Sequence, residues 1–393
     1  MTEVNKKSTV TALQIFVAFL RLGLTAFGGP AMVAYIRTLT VRNKGWLSDN
    51  SFKKGVALCQ TIPGATAMQV AAYTGLRAGG ARGAIAAYGG FSLPAFVLML
   101  ALSVMYARAH DLPRVIALFT GLQVVVVALI ANATISFGRR YIKNRRDILL
   151  SLAVTVFLAL GGNPIIAILS SAVLGLLLYK QLYLERKNTI GTAKIQTPWQ
   201  MIRPALYIAL LTGIALIMLF FMRRDLFSLS VLMLKIDLFA FGGGFASVPL
   251  LFHEVVEIHQ WMSNQTLMDG IALGQVTPGP IVITATFVGY LLAGIPGAIV
   301  GTVSIFTPSL FLLLLIVPYF DRLQHSAALQ RALRGVLVSF VGLLLAVSIR
   351  FALAVHWTPI SLLITGAAFT ALLYKVNILW VVLIGAGIST LLL

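Results

Sequence analysis

Acid is scarce in this chain. Its 393 residues hold 11 Asp and Glu against 30 Lys and Arg, and charged residues together make up only 10%. Soluble domains carry about 25% charged residues, so the composition leaves no room for a separate soluble domain. Cysteine is scarcer still. Cys59 stands alone, which excludes an intrachain disulfide framework, and no Cys/His spacing points to a metal site. Also missing are a nucleophile–base pairing, a phosphate-binding P-loop and an ATPase module. The chain reads as neither enzyme nor pump, without metal or cofactor. Any drive for its work must come from ion gradients or the membrane potential.

What is present is apolar: 59% hydrophobic residues and a mean hydropathy of +0.95. The uncharged stretches 83–107, 115–138, 204–222 and 352–374 are each long enough to cross a bilayer, which takes roughly 20 residues. The expectation is an all-α polytopic membrane protein. Residues 10–27 could pass for a signal peptide, but they belong to a repeated unit and are read as mature protein. The net charge of +19 does not call for a nucleic-acid partner. The basic residues flank apolar runs, where the positive-inside bias puts them, and there they can also meet anionic lipid head groups.

The chain is duplicated. The first copy reads Phe27-Gly28-Gly29-Pro30, Trp46, Gln60-Thr61-Ile62-Pro63-Gly64-Ala65, Gly80-x-x-Gly83-Ala84 and Pro94. The second reads Phe241-Gly242-Gly243-Gly244, Trp261, Gln275-Val276-Thr277-Pro278-Gly279-Pro280, Gly294-x-x-Gly297-Ala298 and Pro308. The offset is 214, passes to 215 between the glycine pair and the Pro-Gly break, and returns to 214. Duplicated apolar halves are common among secondary transporters. The expected organisation is a cytoplasmic N-terminus at 1–10, a first repeat at 11–183, a linker at 184–224 containing a transmembrane helix at 204–222, and a second repeat at 225–393.

Each repeat opens with two apolar stretches interrupted by glycine or proline, which break helices. In lipid such backbone survives only where protein or a water-filled cavity surrounds it. The stretches therefore read as re-entrant hairpins. If both return to their starting side, the basic segments 42–54, 77–82, 139–146 and 180–203 share the cytoplasmic face. The second-copy equivalent of 42–54, from His253 to Asp269, contains no Lys or Arg. Opposite orientation of the two copies, an inverted-topology repeat, explains that contrast. Segment 148–179 holds two runs that are short for full crossings. Trp46 and Trp261 read as interfacial anchors.

Charge inside apolar sequence marks candidate sites. Arg21 and Lys235 differ by the repeat offset and precede the Phe-Gly-Gly breaks. They read as a converging cation pair that binds an anion, or as side chains snorkelling to an interface. Restarting half-helices offer free N–H groups and a positive dipole end, which suit oxyanions. Expected ligand contacts are Gly28, Gly29, Gly242, Gly243, and the turns Gln60, Pro63, Gly64 and Gln275, Pro278, Gly279. Asp237, a lone acid opposite Gly23 of the first copy, reads as a proton-coupling candidate or as the neutralising partner of Lys235. Gly80, Gly83, Gly294 and Gly297 read as packing residues, and small-residue surfaces allow a homodimer.

The duplicated Phe-Gly-Gly, Trp, Gln-x-x-Pro-Gly and Gly-x-x-Gly-Ala…Pro pattern resembles the chromate ion transporter family in its long, two-repeat form. The resemblance covers nearly the whole chain. Pro63-Gly64-Ala65 departs from it, since the family pattern has a second proline there. The resemblance implies a bacterial inner-membrane protein that exports chromate and confers resistance, with sulfate as the look-alike of the substrate. A sulfate or other oxyanion importer and an anion channel are the alternatives.

Overall fold

The computed structural model describes residues 10–27, 31–109, 112–180, 198–324 and 326–392. Gly28, Gly29 and Pro30 lie outside the described residues, as do the N-terminal segment 1–9 and linker positions 184–197. Among the described residues there is no strand.

The first copy begins with α1 (Ala12–Thr25), started by a capping box between Thr11 and Gln14. After the first break come α2 (Ala31–Arg37), continued by a π-helical turn at Thr38–Asn43, and α3 (Asp49–Cys59). The second break leads into α4 (Thr66–Ala109). At 14 residues α1 is about 21 Å long, too short for a hydrocarbon core of about 30 Å. Continuous crossings are also missing from the first part of α4. Gly80 takes φ +66°, ψ −158°, a conformation that side chains with a Cβ rarely adopt, and bends the helix after residue 78. Helix α3 and residues 66–78 thus form one broken hairpin, and residues 81–109 a separate, full-length rod. Then follow α5 (Pro113–Tyr141), α6 (Arg145–Ala159) and α7 (Pro164–Leu178). The last two hold 15 residues each and turn at Gly161, so the short runs at 148–179 are a tight pair of thin helices.

Helix α8 (Pro198–Met222) connects the copies and presents Leu211, Ile217 and Phe221 outward. The second copy repeats the first: α9 (Arg224–Phe239), α10 (Ser247–Leu251) with a π-helical turn at Phe252–Ile258, α11 (Asn264–Val276) and α12 (Thr284–Ile316). Gly294 bends α12 at φ +64°, ψ −148°, matching Gly80. Equivalent serines cap α3 and α11: Ser48 accepts from the Ser51 N–H and Ser263 from the Thr266 N–H. The short α13 (Phe320–Leu323) precedes α14 (Ala327–Ala354), α15 (Pro359–Leu373) and α16 (Ile378–Leu392). Five described helices are long and apolar enough to cross a membrane. With apolar side chains turned outward all round, the chain is a multi-pass, all-α membrane protein.

The copies interlock. Helix α14 of the second packs on α6 and α7 of the first, while α5 of the first packs on α15 and α16 of the second. Small residues make the crossings close. A Cβ on Gly335 would overlap the Ser171 carbonyl oxygen, and one on Gly121, its first-copy equivalent, would overlap the Ser389 side chain. Without a hydrophobic force between helices in lipid, such backbone approach is what holds them together.

Candidate functional site

Four breaks interrupt the helices, and they meet in the middle of the molecule. The Gly64 N–H donates to the Ala240 carbonyl at 2.8 Å, and the Gly279 N–H donates to the Ala26 carbonyl at 3.1 Å. Gly64 and Gly279 are equivalent positions, as are Ala26 and Ala240, so each Pro-Gly turn docks on the first break of the other copy. Both glycines need positive φ, +108° and +116°. The freed Pro63 carbonyl accepts from Gln69 Nε2 at 2.5 Å, which satisfies a broken backbone group without water.

Around this junction lies a cavity of about 490 Å³. Its walls come from the Gln60 turn and the first residues of α4, from Gly242 and Gly243, from Gln275 and Gly279, and from the end of α5. A water molecule takes about 30 Å³, so the space admits a small solute with part of its hydration shell. Arg140, on the last turn of α5, brings in a cation. It donates to Gln60 Oε1 at 2.8 Å and sits 5.3 Å from the centre of the Tyr141 ring. Gln275 Nε2 is a buried donor with no partner among the described residues. The first turn of α4, Thr66 and Ala67, also lines the cavity, and the first N–H groups of a helix lack intrahelical acceptors. No Asp or Glu is among the described lining residues. The arrangement is one of donors and positive charge, suited to an anion.

The residues singled out from sequence fall into three groups. Gln60, Gly242, Gly243, Gln275 and Gly279 line the cavity. Pro63, Gly64 and Pro278 shape its turns but do not face it, and Gly28 and Gly29 lie outside the described residues. Arg21 and Lys235 are not brought together there. Arg21 is exposed in a groove with Tyr35, Lys44 and Trp46 on the first copy. Lys235 binds Glu254 Oε1 at 2.6 Å, and Glu254 is buried.

Asp237 does not pair with Lys235. It is fully buried behind the Gly64 turn. Its Oδ2 accepts from the Ser309 N–H at 2.8 Å and from the Ser309 hydroxyl at 2.6 Å, and that hydroxyl accepts from the Ala65 N–H at 3.2 Å. Asp237 Oδ1 is buried with no partner among the described residues.

Arg140 and Ser309 were not picked out by sequence reasoning. Arg140 sits in the basic run 139–146, whose charge the expected orientation already explains, so nothing in the run distinguishes the basic residue that lines the cavity. Ser309 follows the repeated Pro308, but its first-copy equivalent is Ala95, and the polar replacement was the available signal. Two other buried carboxylates serve as ties between helices. Asp147 holds Tyr179 and Arg334, and Asp269 holds Tyr106 and Gln123. Among the described residues no cluster of His, Cys, Asp or Glu is arranged to hold a metal.

The profile described as "Chromate transporter" matches residues 13–176 and again 227–390. An uncharacterized transporter of Methanocaldococcus jannaschii is 45% identical over 100% of this chain and 97% of its own length. A chromate transport protein of Pseudomonas aeruginosa is 32% identical over 96% of this chain and 91% of its own length. That of Cupriavidus metallidurans is 31% identical over 86% and 82%. No solved structure matches.

Proposed function

This chain belongs to the chromate transporter family, and from that premise we propose that it is a secondary transporter carrying chromate out of the cell across the inner membrane. The observation that carries the reading is the cavity at the meeting point of the breaks: a space walled by helix starts, glycine backbone and the Arg140 guanidinium, with no carboxylate among the described lining residues. Broken helices at the repeat interface are where transporters of this build bind their substrates.

The reciprocal Gly64–Ala240 and Gly279–Ala26 hydrogen bonds are the pattern a two-fold relation produces. Together with the basic 42–54 and the basic-free 253–269, they support two copies of opposite topology, with the N-terminus in the cytoplasm. In that orientation the exposed mouth beside Gln60, Ser136 and Arg140 faces the cytoplasm, the side from which an exported anion is collected.

Energetics favours the outward direction. A dianion leaving a negative interior gains about 4.6 kcal/mol per 100 mV, at about 2.3 kcal/mol per charge, so export needs no obligatory coupling ion. Proton coupling through Asp237 belongs to the proposal as an addition, motivated by its buried, unpartnered Oδ1. The Arg21–Lys235 pair remains part of it as an accessory anion contact in another conformation, which for Lys235 requires release from Glu254. Sulfate is expected to compete.

The test is chromate flux in vesicles holding the purified chain under an imposed potassium diffusion potential. An interior-negative potential should speed efflux. Accumulation that requires a proton or sodium gradient would replace export with import.

A further inference from the structure

The geometry points to Arg140 as the residue that reads substrate charge, and to a cavity that selects tetrahedral oxyanions carrying no proton. This rests on the transport reading above and narrows it. A fully deprotonated oxyanion presents only acceptors. The cavity answers with donors: the Arg140 guanidinium, the unpartnered Gln275 Nε2, and the first-turn N–H groups of Thr66 and Ala67. Of the two lining amide oxygens, Gln60 Oε1 is occupied by Arg140 at 2.8 Å, and Gln275 Oε1 is a neutral acceptor. The hydroxyls of Ser136, Thr66, Thr277 and Tyr141 accept as well as donate, but they too are neutral. With no carboxylate among the described lining residues, the proton of hydrogenphosphate finds no strong partner. Discrimination then comes from a mismatch in the wrong ligand rather than from extra contacts in the right one.

Arg140 is suited to the task in a way Lys is not. Its planar fork can hold Gln60 with one N–H and an oxyanion edge with the others. Gln60 steadies the guanidinium, so an arriving anion meets a preset cation.

Equilibrium dialysis of the purified full-length chain with chromate, sulfate and phosphate at mildly alkaline pH tests this. Chromate and sulfate should bind with similar affinity, and hydrogenphosphate about tenfold more weakly, the size of one unsatisfied buried donor. Arg140→Gln should weaken chromate and sulfate by about 10- to 100-fold, and Arg140→Lys by less. Gln275→Leu, which leaves the cation in place, should cost about tenfold. Gln275→Glu should weaken all three anions and move the preference toward hydrogenphosphate.

Wild-type affinity in Arg140→Gln and Gln275→Leu alike would overturn the assignment while leaving chromate transport intact. If Arg140→Gln fails to fold, the Arg140→Lys and Gln275→Leu affinities decide. Equal binding of hydrogenphosphate and sulfate would overturn the selectivity. Arg140-dependent sulfate binding without chromate binding would keep this site and remove the chromate reading. Binding of none of the three anions by the wild-type chain would remove both.

Discussion

The two copies share a backbone and divide the polar work. Both have a π-helical turn after the first break, a Pro-Gly turn at the second, and a glycine bend in the long helix that follows. The side chains at equivalent positions differ. The second copy has Asp237 and Ser309 where the first has Gly23 and Ala95, and Lys235 with Glu254 where the first has Arg21 and Leu39. The first has Arg140 and Thr66 where the second has Ala354 and Ile281. The cavity thus takes its cation from one copy, while the buried acid behind it comes from the other. Duplication preserved what the backbone requires in order to break inside a membrane. It left the charges free to diverge, and the divergence marks where a single, asymmetric solute is handled.

The largest effects are expected where the shared backbone is attacked. Alanine at Gly64 or Gly279 puts a side chain into positive φ, which costs about 1–3 kcal/mol. At Gly64 the added Cβ would also overlap the Ser309 hydroxyl and crowd Asp237, whereas at Gly279 it meets only the Ala95 methyl, at 2.9 Å. Gly64→Ala should abolish chromate efflux and lower the melting temperature in detergent. Gly279→Ala should do less of both. Equal losses would mean that the Asp237–Ser309 cluster adds nothing to the first turn.

Next come the cations. Lys235→Ala takes from buried Glu254 its close cation and leaves only His259 Nδ1 at 3.9 Å, which should cost about 1–3 kcal/mol of stability. Lys235→Ala combined with Glu254→Ala should recover most of it. Arg21→Ala removes an exposed side chain and should stay within about 0.5 kcal/mol of the parent in a melting experiment. Chromate protection of sensitive cells is the second readout. Loss in the stably folded Arg21→Ala chain supports a direct anion role, and protection retained in both single variants ends the cation-pair proposal.

A smaller, more selective change is expected from Asp237→Asn, which keeps the shape around Ser309 and removes the charge. Potential-driven efflux should persist, and any response to an imposed pH gradient should vanish. Gly23→Asp, the mirror substitution, should not create such a response. A Cβ there meets the Phe91 carbonyl oxygen at 2.7 Å, so it should destabilise instead. An unchanged pH response in Asp237→Asn would remove the acid from the coupling scheme.

How far sequence reading reached follows the same divide. The breaks and the lining roles of Gln60, Gln275, Gly242 and Gly243 were legible because repetition marks backbone requirements twice; Gly80 and Gly294 were expected as packing residues, but a Cβ on either would meet nothing, and their positive φ bends the helices instead. Arg140 was not, because its chemistry occurs once and sits in a run that topology already explains. The Lys235–Glu254 pair escaped because the two residues lie on different elements, α9 and the π-helical turn, whose docking no periodicity reveals. The expected convergence of Arg21 and Lys235 treated equivalent positions as if they must share a site. Equivalent residues meet only if they lie near the axis relating the copies, and sequence does not give that distance.

The orientation of the copies is best tested with the least perturbation. Cys59 is buried, so the parent chain should be silent to a membrane-impermeant thiol reagent. Lys44→Cys and Gln260→Cys place exposed thiols just past the π-helical turns of the first and second copies. Opposite topology requires Lys44→Cys to react only from the cytoplasmic side and Gln260→Cys only from the other, with efflux unchanged in both. The comparison is internal, because both positions are exposed and follow the same π-helical turn, Lys44 in helical backbone and Gln260 in the left-handed conformation of its equivalent Gly45. Labelling of both from one face would mean the copies run in parallel. The basic-free 253–269 segment would then need another cause, and the cavity mouth beside Arg140 would lose its assignment to the cytoplasm.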